Sequence, residues 1–134
     1  MDETELERVP LSRVLYVAHP LGQGKERRKA NLTILQTEWF PWLLAKHPND
    51  ALSCSWPMYA ACLDEETSRS RGLRDDLAVL AKCDGIILCG LKITEGMMEE
   101  LTSYLKRRNE RGEPTLVYNY TGSILPPPKE HFGV

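Results

Sequence analysis

The chain has 134 residues, of which 42% are hydrophobic and 27% charged, and its formal net charge is −2 at pH 7. This length and composition are typical of one globular domain, and the charge gives no global field for a nucleic-acid polymer or a membrane surface. No apolar run reaches membrane-spanning length and the acidic start is unlike a signal peptide, so we expect a cytoplasmic protein.

Strand and helix signals alternate through the first half of the chain. Residues 1–12 are polar and predict a flexible arm, whereas the apolar run 14–18 predicts the first strand. A helix is expected over 25–39, and Pro41 should end or kink it because proline lacks an N–H group. Residues 51–56 predict a weak second strand.

The second half repeats the alternation. The spacing of Leu73, Leu77 and Leu80 predicts a helix that ends near Lys82, and 83–90 predicts a buried strand bounded by glycines. A helix should then run from Gly96 to about Gly112. Residues 115–118 predict the last strand, and the proline-rich stretch 121–134 predicts an extended tail.

These elements predict an α/β fold in which a mostly parallel sheet of four or five strands is flanked by helices. The arrangement is flavodoxin-like or Rossmann-like, and the domain should span residues 13–120. Open sheets of this kind bind ligands at the carboxyl ends of their strands. We therefore expect the functional site at that edge.

Two acidic pairs begin the last two helices. Helical geometry of about 100° per residue directs Asp75 and Glu99 away from the apolar stripe and leaves Asp76 and Glu100 on its border. A border carboxylate beside a cleft can be desolvated and made reactive. Favourable interaction of first-turn acids with the helix dipole is the alternative explanation. Gly96, one turn before Glu100, either lets a ligand approach that carboxyl or simply caps the helix.

The loop after the first strand carries weaker signals. Arg27 stands where a dinucleotide-binding fingerprint needs its third glycine, so Gly22-Gln23-Gly24 does not match that motif. Several cations crowd the first turn of the next helix, which is unfavourable for the helix dipole unless an anion binds there. A solvated run of charge explains them equally well. His19 is either a structural loop residue or a ligand contact.

The cysteines and one aromatic cluster have simple explanations. The four cysteines show no zinc-ligand spacing, and Cys83 and Cys89 are expected to be small buried hydrophobes. We expect no metal and no cofactor. The aromatic cluster near the end of the first helix either packs into the core or forms a homo-oligomer contact, and it comprises Trp39, Phe40, Trp42 and Leu43.

Four segments together resemble the nucleoside 2-deoxyribosyltransferase superfamily, and most closely its small, often phage-associated members of unassigned function. The segments are Tyr16 to Gly22, Gly72 to Leu77, Cys83-Asp84-Gly85, and Thr94 to Glu100. With the elements between them they cover residues 13 to 120. The resemblance implies a flavodoxin-like sheet, a homo-oligomeric active site and double displacement at an N-glycosidic bond.

The resemblance also implies roles for individual residues. Glu100 would be the nucleophile that forms a covalent glycosyl–enzyme, as in retaining glycosidases. Asp76 would contact the base and help to protonate it, and Tyr16 would hold the nucleophile by a hydrogen bond. Glu95 would contact the sugar hydroxyls, while Glu99 is disfavoured as a nucleophile by its outward angle.

The expected ligand is a small-molecule nucleoside or nucleotide. We assign its binding to His19, Gly22, Arg27, Glu95 and Gly96. The enzyme would be a transferase that moves deoxyribose between bases, or a hydrolase (an N-glycosidase) that acts on a nucleoside or its 5′-monophosphate. The alternatives are a nucleotide-binding or regulatory module without turnover and a structural oligomer with a vestigial site.

Overall fold

The computed structural model describes residues 12–62 and 65–127. Its sheet has four parallel strands in the order β2-β1-β3-β4. They are β1 (Val14–Ala18), β2 (Ala51–Ser53), β3 (Gly85–Gly90) and β4 (Val117–Thr121).

Helical segments connect the strands. They are α1 (Lys25–Ile34), a π-helical turn (Leu35–Trp39), α2 (Phe40–Lys46), α3 (Trp56–Cys62), α4 (Glu65–Leu80) and α5 (Glu95–Glu110). The parallel α/β fold predicted from the sequence is therefore confirmed. None of the helices in the described ranges is long and apolar enough to cross a membrane.

The strand order places a topological switch between β1 and β3. The chain leaves β1 for β2 on one side and reaches β3 on the other, so the connections diverge above these two central strands. In open α/β sheets such a divergence opens a crevice at the carboxyl ends of the strands.

Alternation along β1 divides the interior into two cores. Leu15 and Val17 face one core, together with the helical segments that follow β1, while Tyr16 and Ala18 face the other, together with α4 and α5. The first core contains the aromatic cluster: Trp39 and Leu43 are fully buried and Trp42 nearly so. These residues pack within the protomer. Buried residues also include Cys83 and Cys89, in agreement with their predicted character.

Of the two effects predicted for Pro41, an end or a kink of the first helix, the helix does not end there. The helical segments continue to Lys46, with a π-helical turn just before the proline. Proline removes one N–H from the regular hydrogen-bond ladder and its ring crowds the preceding turn. Widening of the helix at Leu35–Trp39 accommodates both effects, as π-bulges do in other helices.

Several elements differ from the sequence prediction: helix α3 is not predicted, and strand β4 continues to Thr121, past its predicted end at 118 and into the predicted tail. Helix α4 begins at Glu65, well before the leucine repeat, and β2 pairs with β1 only as far as Ser53. Strand β4 begins at Val117 because the N–H of Leu116 donates to the Tyr104 hydroxyl at 2.9 Å instead of joining the ladder. Most of the predicted N-terminal arm (1–11) and half of the tail (128–134) lie outside the described residues.

Candidate active site

A cleft of about 860 Å³ opens at the carboxyl ends of β1 and β3. Its walls come from the loop after β1, helices α1, α3 and α4, the loop after β3 and the start of α5. Seven of the eight predicted site residues line it: His19, Gly22, Arg27, Asp76, Glu95, Gly96 and Glu100. The eighth, Tyr16, is fully buried on β1.

The acidic pairs have the orientations that the helical angles predict. Glu100 and Asp76 are each 9% exposed, whereas Glu99 is exposed. Asp75 turns outward to an ion pair with Arg71 at 3.0 Å. The two border carboxyls thus come from successive helices and meet the same cleft.

The N-terminus of α5 fixes the direction of Glu100. Thr94 caps the helix, and its side chain accepts a hydrogen bond from the N–H of Met97 at 3.3 Å. From this start, the helical repeat buries Met97 against the core and turns Glu100 toward α4.

Glu100 lies in an environment that opposes its ionisation. Burial raises the pKa of its carboxyl to about 7, and the nearby charges of Asp76 and Glu99 act in the same direction. The Tyr16 hydroxyl acts in the opposite direction, since it favours the charged form. Two carboxyls that influence each other in this way titrate as a coupled pair.

Tyr16 lies beneath these carboxyls. Burial and the charges of Glu100 and Asp76 raise the pKa of its phenol, so it stays protonated and available as a donor. Although Tyr16 is close enough to Glu100 to influence its pKa, the Tyr16 hydroxyl and Glu100 Oε2 make no hydrogen bond of standard geometry.

Ser55 and Trp56 join the site although sequence reasoning missed them. The Ser55 hydroxyl donates to Asp76 Oδ1 at 2.7 Å, and Trp56 lines the cleft with only 6% exposure. The Nε1 atom of Trp56 is buried and has no acceptor among the described residues. The run Ser55-Trp56-Pro57 is a sequence signal for the start of a helix. It indicates where α3 begins, but it does not indicate a functional site.

We refer to Tyr16, Ser55, Trp56, Asp76 and Glu100 as the cleft floor. Three of its polar atoms are buried without a standard hydrogen bond within the described residues, namely Tyr16 Oη, Trp56 Nε1 and Glu100 Oε2. Buried unsatisfied polar groups are rare and costly in native proteins. Two of these atoms belong to residues that line the cleft, Trp56 and Glu100, and they indicate a place where a polar ligand completes the hydrogen bonding.

His19 is held in the wall of the cleft. Its Nδ1 lies 2.9 Å from the carbonyl oxygen of Pro20, and its ring is nearly parallel to that of Trp56, with 6.4 Å between centroids. A carbonyl only accepts, so Nδ1 carries the proton and Nε2 is left as an acceptor. Burial lowers the pKa of His19, which favours the neutral ring.

The two glycines assigned to the site differ in role. Gly22 has φ 88°, and a Cβ there would lie 2.6 Å from Arg27 Cγ and 2.8 Å from Asn31 Nδ2. Gly22 therefore allows the loop to pack on α1, a structural function. At Gly96 a Cβ would meet no atom within 4 Å, so that position borders open space in the cleft.

Cations surround the acidic floor. Arg27, Arg69 and Lys92 line the cleft from α1, α4 and the loop after β3. None of the three forms an ion pair with another residue in the described parts of the chain. Helix α1 also has a glycine, Gly24, at its N-cap, so no side chain caps its first turn. The cleft thus combines buried carboxyls with cationic walls.

Within residues 12–62 and 65–127, no group of three or more His, Cys, Asp or Glu is arranged to hold a metal ion.

Comparison with known proteins supplies a family but no activity. No curated protein matches the chain. A family model described as "Domain of unknown function (DUF7768)" matches residues 43–111, just over half of the chain. The match includes Ser55, Asp76 and Glu100, whereas Tyr16 and His19 precede it. The chain belongs to this DUF7768 family.

Proposed function

We propose that the protein is an N-glycosidic bond enzyme that acts on a nucleoside or nucleotide through a covalent glycosyl–Glu100 intermediate. The observation that supports this most directly is the convergence of Asp76 and Glu100, from successive helices, on one cleft above the buried Tyr16. Paired carboxyls flanking one reacting bond are the usual apparatus for glycosyl transfer.

In the proposed reaction an oxygen of ionised Glu100 attacks the anomeric carbon. The bond from that carbon to the base nitrogen breaks, its electron pair goes to the base, and Asp76 donates a proton to the base. A second base or water then gives its proton to the ionised Asp76 and displaces the Glu100 carboxylate from the sugar, which gives transfer or hydrolysis respectively. Tyr16 orients the Glu100 carboxyl, and Glu95 contacts the sugar hydroxyls.

The cationic walls favour a 5′-monophosphate over an uncharged nucleoside. Arg27 lies on the exposed part of α1 that faces the cleft and has no ion-pair partner among the described residues, so a phosphate could bind there. Arg27→Ala should raise KM for a monophosphate about tenfold, the usual scale for one charged hydrogen bond, and leave KM for the nucleoside unchanged. Lys29→Ala on the same helix, outside the cleft, is the matched control.

The first experiment is a substrate panel of nucleosides, nucleoside 5′-monophosphates and nicotinamide dinucleotides, with released base measured by chromatography. Glu100→Gln should lower kcat by at least about a thousandfold, since the amide is not a nucleophile. The exposed neighbour offers a matched control, and Glu99→Gln should retain activity. Mass spectrometry of the denatured reaction should locate the sugar on Glu100. A wild-type protein that cleaves nothing in the panel, or a fully active Glu100→Gln protein, would refute the proposal.

A nucleotide-binding or regulatory module is the second candidate, and one observation favours it. With a pKa of about 7, Glu100 is largely neutral in mildly acidic conditions, and a neutral carboxyl does not attack carbon. This candidate predicts that the wild-type protein and Glu100→Gln bind nucleotides with similar Kd in calorimetry and that neither releases base.

The expected cytoplasmic location and homo-oligomeric state belong to the same proposal. Leu91 and Ile124 line the cleft and are each about half exposed, so its border offers apolar surface that a second copy could cover. Sedimentation at several protein concentrations tests the oligomeric state. A monomer at every concentration would refute the proposed homo-oligomer.

A further inference from the structure

Ser55 occupies an unusual position for a residue that begins a helix. Its carbonyl accepts from the N–H of Met58 at 3.2 Å, as expected at an N-cap. The hydroxyl of a capping serine ordinarily accepts from the first turn as well, but here it donates to Asp76 Oδ1 at 2.7 Å. The side chain is thereby committed to the neighbouring helix α4.

A donor at this distance stabilises the ionised form of a carboxyl. No corresponding bond of standard geometry reaches Glu100 Oε2, which is buried without a partner among the described residues. Asp76 thus accepts a hydrogen bond that Glu100 lacks, although both carboxyls are 9% exposed.

We propose that Ser55 is a positioning residue that holds Asp76 as the charged member of the Asp76–Glu100 pair, so that the free protein carries one shared proton on Glu100. This inference rests on the proposed function, in which Glu100 attacks and Asp76 donates. A singly protonated pair contains what that reaction consumes: one negative oxygen for the anomeric carbon and one proton for the leaving base.

In the free protein the shared proton lies on Glu100, whereas the reaction needs an ionised Glu100 and a protonated Asp76. Binding of the ligand has to move the proton. A base nitrogen that accepts a hydrogen bond from Asp76 favours protonation there, so Glu100 loses the proton and Asp76 gains it. Attack then forms the Glu100–sugar ester, the glycosidic bond breaks, and the proton passes from Asp76 to the base. The ester and the ionised Asp76 remain, which balances the step.

Other titratable and charged groups also face the pair. They are Tyr16 from β1, Cys54 after β2, Glu99 beside Glu100, and the cleft-lining His19, Arg27, Arg69, Lys92 and Glu95. Burial raises the pKa of both Tyr16 and Cys54, so neither supplies a charge near neutral pH. The cations lie in the walls of the cleft and should act on both carboxyls. Ser55 favours charge on Asp76 through a 2.7 Å hydrogen bond, whereas Tyr16 favours charge on Glu100 without a hydrogen bond of standard geometry.

The inference predicts a bell-shaped pH profile of kcat/KM, the constant that reports the ionisations of the free enzyme. Activity should fall at acidic pH as the pair takes up a second proton, and fall at alkaline pH, near 7, as it loses the first. Ser55→Ala should move the acidic limb upward by about one to two pH units, because the ionised Asp76 loses one charge-assisted hydrogen bond. The alkaline limb should stay in place, since Asp76 is charged on both sides of that step.

Two variants make the result specific. Ser55→Thr keeps a hydroxyl and should restore the acidic limb, whereas Ser53→Ala, on β2 without a side-chain bond to the pair, should leave the whole profile unchanged. A Ser55→Ala profile identical in shape to wild type, with only the maximal value of kcat/KM reduced, would overturn the inference. So would an unchanged acidic limb in a folded Ser55→Ala protein.

Carboxyl-carbon NMR on the ligand-free protein separates this inference from the proposed function. In wild type the Glu100 signal should titrate near neutral pH and the Asp76 signal well below it, and Ser55→Ala should bring the two midpoints closer. If these midpoints appear and no substrate is cleaved, the proposed function fails and the positioning role stands. If cleavage occurs but Asp76 titrates above Glu100, the function stands and this inference fails.

Discussion

Two polar clusters in this fold differ in how completely the hydrogen bonds of their side chains are made. The cleft floor leaves three buried polar atoms without a standard partner within the described residues. A second cluster, which we call the His47 network, comprises Arg13, His47, Asp50, Tyr118 and Tyr120. In that network every titratable side chain has a hydrogen-bonding or ionic partner.

The His47 network joins the start of β1, the end of α2 and strand β4. His47 Nε2 lies 2.9 Å from the Tyr120 hydroxyl, and its Nδ1 lies 3.5 Å from Asp50 Oδ2. Arg13 donates twice to Asp50, at 3.0 and 3.1 Å, and once to Tyr118 at 3.4 Å. The Tyr118 ring also packs edge-on against His47, with 4.6 Å between centroids.

The contrast between the two clusters distinguishes polar side chains that stabilise the fold from polar side chains that we expect to bind a ligand. Satisfied polar networks hold neighbouring elements in one arrangement, whereas an unsatisfied buried group costs free energy of folding. Natural proteins keep such a cost where function requires it. The cleft floor should therefore gain stability when its polar atoms are removed, and the His47 network should lose stability.

The largest expected effect comes from Glu100→Gln. Because the folded pKa of about 7 lies above the ordinary value of 4.5, folding disfavours the charged form, and stability falls as pH rises from 4.5 through 7. Glutamine cannot ionise, so the variant should unfold with about 3 kcal/mol more free energy than wild type at pH 8 and with little difference at pH 4. Urea denaturation at both pH values measures this, with Glu99→Gln as control. A Glu100→Gln protein less stable than wild type at pH 8 would contradict the claim that the cleft floor lowers the stability of the fold.

Asp50→Asn should have the opposite sign and the opposite pH dependence. The Arg13 guanidinium holds the pKa of Asp50 below its usual range, so its stabilisation is present above pH 3.8 and is lost as pH falls through the folded pKa. The substitution should cost about 1 to 2 kcal/mol at pH 7, and the cost should shrink as pH falls below 3.8. Catalysis should be unaffected, since none of the cleft-lining residues belongs to the network.

Asp75→Asn is the matched control for Asp50→Asn. It removes a carboxylate whose partners Arg71 and Arg74 are exposed, and surface pairs of this kind stabilise proteins little. If both variants lost the same free energy of unfolding, the more enclosed position of Asp50 would add nothing to stability.

The smallest effect is also the most direct comparison, because one substitution can be made in both clusters. Tyr120→Phe removes a hydroxyl bonded to His47 and should cost about 1 kcal/mol. Tyr16→Phe removes a buried hydroxyl without a standard bond and should be neutral or stabilise by less than about 1 kcal/mol. It should nevertheless lower kcat, whereas Tyr120→Phe should not. Thermal unfolding and single-turnover kinetics on both variants measure these effects, and losses of equal sign and size would contradict the distinction.

Helical periodicity alone is enough to single out the two border carboxyls. Burial of Asp76 and Glu100 beside exposed Glu99 and outward-turned Asp75 follows from about 100° per residue and the position of the leucine and methionine stripe. The aromatic cluster is ambiguous by the same reasoning, because an apolar stripe has the same spacing whether it faces a core or another chain. The packing of Trp39 and Leu43 against the sheet decides that case.

Ser55 and Trp56 could not be found in this way. They lie where the chain leaves a three-residue strand for a short helix, so no period of two or of 3.6 extends through them. Their importance comes from α4 and the loop after β1, which are distant in sequence and adjacent only because β2, β1 and β3 pair in that order.

By itself, the sequence determined the four strands of the sheet and the apolar face of the two helices that carry the acidic pairs, because these properties depend on residues a few positions apart. Only the tertiary structure decided that Asp76 and Glu100 share a cleft, that Ser55 binds one of them, and that burial raises the pKa of the other. Desolvation and charge coupling depend on everything packed around a group, and that environment exists only once distant segments have come together.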